Sequence, residues 1–237
     1  MRALFIQHDH VSPIGPIGAA FRSLGYEVEQ LPVRSGDGSV VTFPDASGYD
    51  AVVPMGAPWS VYDPAINSWL QPELSFLRSA QDAGVPVLGL CFGAQALATA
   101  LGGSVVRASR AEVGWTDVHT DAPDLVPSGP WFQWHGGRWN LPPDGVAIAR
   151  TGVCDQAFVV GRRSLGVQFH PEMTPEMLDG WVGNGGAQYL QELGIDVTEL
   201  RIQTVRRASA AAERAHALVA AFHSGVDSVG PRPAACP

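Results

Sequence analysis

Two short blocks of residues could do covalent chemistry together. The first is Gly89-Leu90-Cys91-Phe92-Gly93, a thiol bracketed by glycines. The apolar run PVLGL ahead of it predicts a strand over 86–90, and GAQALATALG after it predicts a helix rich in Ala and Leu. A cysteine on such a strand-to-helix turn stands at the carboxyl end of a sheet. Its small neighbours relieve crowding, and the positive end of the following helix favours a thiolate. The second block is LGVQFHPE at 165–172. Pro171 steers His170 away from helical geometry, and in an extended chain residues i and i+2 share a face. Glu172 could then hold the imidazole toward a thiol, which gives a cysteine nucleophile both its base and an orienting group. Each block alone also has a plainer reading. Cys91 could be a buried cysteine in a small-residue turn, and His-Pro-Glu a solvated strand end.

The surrounding elements are those that could bring the blocks together. Residues 2–7, 26–31, 49–55 and 86–90 read as strands, and Tyr49 to Met55 is apolar enough for a sheet centre. Helical spacing fills the stretch from Ile17 to Leu24 and the one from Ala65 to Asp82. This alternation predicts a parallel sheet with helices on its faces. Between 104 and 169, six short β-like runs (SVVRA, VGWTDVHT, WFQWH, GVAIAR, AFVVG, LGVQF) predict added, partly antiparallel strands covering one sheet edge. Helix returns over 175–192 and 199–223. The reading is an α/β fold: a flavodoxin-like, mostly parallel sheet flanked by helices with a small antiparallel cover. It forms a single domain over 1–224, followed by a flexible tail over 225–237.

Composition narrows the function classes. The 237 residues are 46% hydrophobic and 16% charged, which fits a folded globular chain. A formal charge of −8 leaves no basic stripe for nucleic acid, and Arg206 and Arg207 make at most a local patch on a solvated helix face. No apolar run reaches the roughly 18 residues of a membrane helix. The first apolar run is too short for a signal peptide. Cys91, Cys154 and Cys236 form neither a disulfide framework nor a CxxC zinc site, so the reducing cytoplasm is the expected location. His8 and His10 show no carboxylate cluster nearby in sequence, so no metal is expected there. Cys154 reads as an ordinary thiol. Trp131, Trp134 and Trp139 could form a binding wall or simply pack between strands.

Taken as a set, GLCFGAQ and VQFHPE resemble the class I glutamine amidotransferases. MGAPWSVYD at 55–63 is similar to that family's glycine-rich loop. LGGSVVRASRAEVGW at 101–115 and FQWHGGRWNLPP at 132–143 resemble its stand-alone, GMP-synthetase-like branch. The resemblance implies a Cys91, His170 and Glu172 triad that forms a γ-glutamyl thioester and releases ammonia. It implies an oxyanion site from the backbone of Phe92 and Ala57, with Gly56 as a further donor in that loop. Gln95, Trp134, His135 and Gly136 would meet the substrate, and no metal or organic cofactor is required.

Two positions depart from the family pattern. Gly56-Ala57-Pro58 stands where Gly-Gly-Pro is common, which would strain Ala57 if its φ were positive. His135-Gly136-Gly137 stands where related sequences often carry His-Gly-Asp, so a carboxylate for the substrate's ammonium is missing. The first expectation is therefore a glutaminase that feeds ammonia to a separate synthetase partner, since neither a P-loop nor an ATP-pyrophosphatase loop occurs in the sequence. The second is a stand-alone γ-glutamyl hydrolase, peptidase or transferase. The third is a non-catalytic scaffold of the same fold, against which the intact triad argues.

Overall fold

Alternation along the first strand sets the layers of the molecule. The computed structural model describes residues 1–33, 39, 41–161 and 163–225. In β1 (Arg2–Gln7), Ala3 and Phe5 pack into one core cluster, while Leu4 and Ile6 pack into another on the opposite sheet face. A strand apolar on both sides needs helices on both sides. On one face lie α1 (Gly15–Ser23) and α6 (Val197–Ser224), which bury Ile17, Phe21, Leu218 and Phe222. On the other lie α2 (Asn67–Asp82) and α3 (Phe92–Ala100), which bury Leu70, Leu77 and Leu97.

β1 pairs in parallel with β2 (Glu27–Pro32) and with β3 (Ala51–Pro54), and β3 pairs with β4 (Val87–Leu90). The fifth parallel strand is β9 (Ser164–Val167), inserted beside β4. The sheet then continues through antiparallel strands: β8 (Asp155–Val160), β7 (Gly145–Arg150), β5 (Ser104–Thr120) and β6 (Gly129–Asn140). The full order is β2-β1-β3-β4-β9-β8-β7-β5-β6. The expected α/β sheet is present, and its antiparallel part is larger than a small cover because these strands extend the sheet itself. The LGVQF run is not an added strand but the central β9.

SVVRA and VGWTDVHT, read as two runs, belong to one long strand. Arg107 opposes Gly137 and Glu112 opposes His135, so residues 108–111 bulge out against Gly136. Such a bulge bends a strand and re-aims its side chains. A third apolar cluster joins Phe132 of β6 to Met177 and Leu178 of α4 (Pro175–Trp181), Leu190 of α5 (Ala187–Glu192) and Leu200 of α6. A kink at Asn184 and Gly185 breaks the expected helix 175–192 into α4 and α5. The expected tail 225–237 lies, apart from Gly225, outside the described residues, as does Cys236.

Phe21 ties α1 to the sheet and to α6, with its ring 5.4 Å from Phe5 and 6.3 Å from Phe222. Phe21→Ala should lower the unfolding free energy by about 3–5 kcal/mol in urea titrations. A loss below about 1 kcal/mol would mean that this interface is not closely packed.

Candidate active site

The site begins with backbone geometry at Cys91. Among the described residues it is the one non-glycine residue with positive φ, at φ 48° and ψ −104°. Such a conformation costs about 1–3 kcal/mol, so the surroundings must hold it. Cys91 N–H donates to Val167 O at 2.8 Å, fastening the turn to β9, and Gly93 N–H donates to Met55 O at 3.0 Å, fastening it to the end of β3. The glycines of the motif are there for close approach. A Cβ on Gly89 would lie 2.7 Å from Ala94 Cα, and one on Gly93 would run into the Pro54 carbonyl.

His170 and Glu172 arrive from the end of β9, the neighbour of β4. Their Nδ1 and Oε1 are 2.8 Å apart, and because a carboxylate only accepts, Nδ1 carries the proton. The extended geometry expected here is replaced by a turn: Met173 N–H donates to His170 O at 3.3 Å, with Pro171 at the second turn position. The pairing survives because Glu172 folds back within that turn. His170 also packs edge-on to Trp181, with ring centres 4.7 Å apart, and a Cβ on Gly56 would lie 3.0 Å from His170 Cε1. The ring is thereby held from both sides.

His170 Nε2 is buried and makes no hydrogen bond to an oxygen or nitrogen, and Cys91 is the group that acts on the ring most strongly. Burial opposes the imidazolium, but the influence of Cys91 and then of Glu172 outweighs it, raising the pKa from 6.5 to about 10. Gln168 supports the sulfur: its Nε2 lies 3.5 Å from Cys91 Sγ, and its Oε1 accepts from Gln95 Nε2 at 3.1 Å. Sequence reading missed Gln168, although it sits inside the quoted VQFHPE run.

These groups open into a cleft of about 940 Å³ whose lining includes Cys91, Phe92, Ala57, Gln95, Trp134, His135, Gly136 and His170. Every expected substrate-contacting residue is therefore at the cleft, as are both principal oxyanion candidates. Phe92 is the first residue of α3, so its N–H has no acceptor within the helix. Ala57 has no positive φ, which removes the strain expected from its methyl group. Gly56 is buried between His170 and His8, and its carbonyl faces His8.

Of the three tryptophans, Trp134 lines the cleft. Trp131 stacks on Phe169 and Trp139 packs against Phe158, both in the core. His135 is not a free side chain. Its Nδ1 faces Gly137 O at 3.0 Å, and its Nε2 faces Gln133 Oε1 at 3.1 Å and Glu112 Oε2 at 3.4 Å. Burial alone would raise the Glu112 carboxyl, but bonds from His135 and Thr151 outweigh it and hold it below its usual range. Cys154 lies beside Glu112, and burial together with that charge pushes its thiol up to about 12. Glu112, His135 and Cys154 bring their ligand atoms within 4.8 Å of one another and could hold a metal ion. His8 is paired with Glu73 of α2, a partner that the sequence did not indicate, while His10 is exposed at the cleft. Arg206 and Arg207 are exposed on α6. No helix among the described residues is long and apolar enough to cross a membrane.

A mixed α/β sheet with a thiol on a strained turn and a His–Glu pair at the same edge defines a class of protein. The chain belongs to the class I glutamine amidotransferase family, whose domain matches residues 15–181. It is 39% identical over 133 residues to a GMP synthase from Mycobacterium marinum, covering 52% of this chain and 23% of that protein. It is 32% identical over 225 residues to the GMP synthase of Aeropyrum pernix, covering 90% of this chain and 41% of the relative. The chain thus spans less than half the length of these relatives. A solved glutamine amidotransferase from Thermotoga maritima superposes with TM-score 0.82 at 25% identity, covering 94% of this chain and 97% of that one. One from Methylobacillus flagellatus superposes with TM-score 0.83 at 24% identity, covering 94% of each chain, and shares the fold.

The raised His170 pKa makes a testable statement. The folded chain binds this proton more tightly than the unfolded chain, so the resulting stabilisation is complete below about pH 6.5. It is lost as pH rises through about 10. Because the sulfur is the largest raising influence, Cys91→Ala should move the His170 titration, followed by NMR of the imidazole protons, to lower pH. An unmoved titration would show that the two side chains do not share a charge.

Proposed function

We propose that this chain hydrolyses the γ-amide of glutamine and passes the ammonia to a synthetase acting in trans. The observation that carries the proposal is the meeting of Cys91 with His170 and Glu172 in one cleft that is also lined by Ala57 and Phe92. The Cys91 thiolate attacks the γ-carbonyl carbon, and the oxygen that becomes negative is received by the backbone N–H groups of Phe92 and Ala57. His170 gives its proton to the departing ammonia as the C–N bond breaks, leaving a γ-glutamyl thioester. His170 then takes a proton from water, which attacks the thioester, and glutamate leaves as the thiolate is restored. Glu172 keeps the imidazole in the tautomer that faces the sulfur. Gln95, Trp134, His135 and Gly136 receive the amino-acid end. Likeness to GMP synthases supports ammonia supply to a separate activating enzyme.

A second reading, hydrolysis or transfer of a γ-glutamyl group from a larger γ-glutamyl compound, is favoured by one feature of the cleft. The carboxylate lining it is Asp9, whose oxygens already receive Val11 N–H and Ser12 Oγ–H at 2.8 and 2.9 Å. Gly137 offers no side chain there; a Cβ on it would meet the Gln95 amide at 3.3 Å. The same thioester serves both readings, and only the leaving amine differs.

Assay of the purified chain on glutamine and on a panel of γ-glutamyl amines separates them. The glutaminase reading expects ammonia release from glutamine, falling at least about 10³-fold in Cys91→Ala and in His170→Asn. Turnover of γ-glutamyl amines with no ammonia from glutamine selects the second reading. Undiminished activity in Cys91→Ala would defeat both.

A further inference from the structure

His8, which lines the cleft, forms a buried pair with Glu73 that the chemistry above does not use. Both side chains are fully buried. Glu73 Oε1 and Oε2 lie 3.1 and 3.0 Å from His8 Nε2, and His8 Nδ1 lies 3.1 Å from Gly56 O. The imidazole is packed against Phe92 and Trp69, with ring centres 4.9 and 5.5 Å away. Burying such a pair costs several kcal/mol of desolvation, and apolar residues of similar volume would stabilise the core as well or better. A positional role would account for its presence.

The target is the peptide plane between Gly56 and Ala57. A carbonyl oxygen can only accept, so His8 Nδ1 carries a proton and donates it to Gly56 O. The peptide is planar, and no cis bond occurs among the described residues, so C=O and N–H of this plane point in opposite directions. Holding the Gly56 carbonyl toward His8 therefore fixes the direction of the Ala57 N–H. A donor backed by a carboxylate also polarises the peptide, which makes that N–H a stronger donor. We propose that His8 and Glu73 are positioning residues that aim and strengthen the Ala57 N–H for the oxyanion. This rests on the reading of Ala57 as an oxyanion donor to the Cys91 reaction.

The test compares a reaction that develops an oxyanion with one that does not. Glutamine hydrolysis does; alkylation of Cys91 by iodoacetamide, a displacement at a saturated carbon, does not. Glu73→Gln should lower kcat on glutamine roughly 10-fold and His8→Ala roughly 100-fold, by weakening one oxyanion donor. KM should stay within about two-fold, because the bond strengthens only in the transition state. The iodoacetamide rate should match that of the parent chain in every variant. His8→Asn should recover part of the loss, since its amide can still donate to Gly56 O, and it guards against a fold defect in His8→Ala. Unchanged kcat in Glu73→Gln and His8→Ala overturns the proposal, as does an equal fall in the alkylation rate. Failure of the underlying reading looks different: Cys91→Ala would then hydrolyse glutamine as fast as the parent chain.

Discussion

The structure depends on one strained residue and the sheet order that holds it. Cys91 adopts a left-handed backbone that a side chain rarely tolerates, and hydrogen bonds from Cys91 to Val167 of β9 and from Gly93 to Met55, just past β3, keep the turn there. Those two strands matter for a second reason. β3 leads into the loop bearing Gly56 and Ala57, and β9 leads into Gln168, His170 and Glu172. Parallel neighbours end on the same edge of a sheet, so the order β3-β4-β9 delivers three distant stretches of chain to one cleft. This is where open α/β sheets place their ligand sites.

Buried titratable pairs are concentrated around the same cleft. His8–Glu73, His135–Glu112 and His170–Glu172 are buried His–carboxylate pairs, and all three histidines line it. An interior that serves stability alone has little use for such pairs, because removing ions from water is seldom repaid by their attraction. Each imidazole here points one nitrogen at a carboxylate and is held by it. His170 is turned toward the thiol, His8 grips the Gly56 carbonyl, and His135 grips the Gly137 carbonyl on its own strand. Three walls of the cleft are thus fixed by the same device. The Cys154 thiol, with its pKa raised to about 12, shows what burial and a facing carboxylate do to a cysteine.

The grouping of Cys91, His170 and Glu172 was legible in the sequence because its cues are local. Glycines around Cys91 and a proline after His170 constrain the backbone within a few residues, and the strand and helix beside Cys91 are strongly patterned. The partners of His8 and His135 were not legible. Glu73 sits in an amphipathic helix where a glutamate normally faces water, and Glu112 follows the polar stretch of a bulged strand. Only tertiary packing turns them inward. The gap between SVVRA and VGWTDVHT, residues 109–112, made one strand read as two. Gln168 was in view and overlooked because it carries no titratable group. Trp131 and Trp139 read the same as Trp134 in sequence, and only the pairing of β6 separates core from cleft.

Cys91 is proposed as the reactive nucleophile of the cleft. Treating the folded chain with a diazo-ketone analogue of glutamine and mapping the modified peptide tests it most directly. The account predicts one equivalent of label on Cys91, slowed by added glutamine. Label on Cys154 instead, or none on a chain shown to be folded, would contradict it.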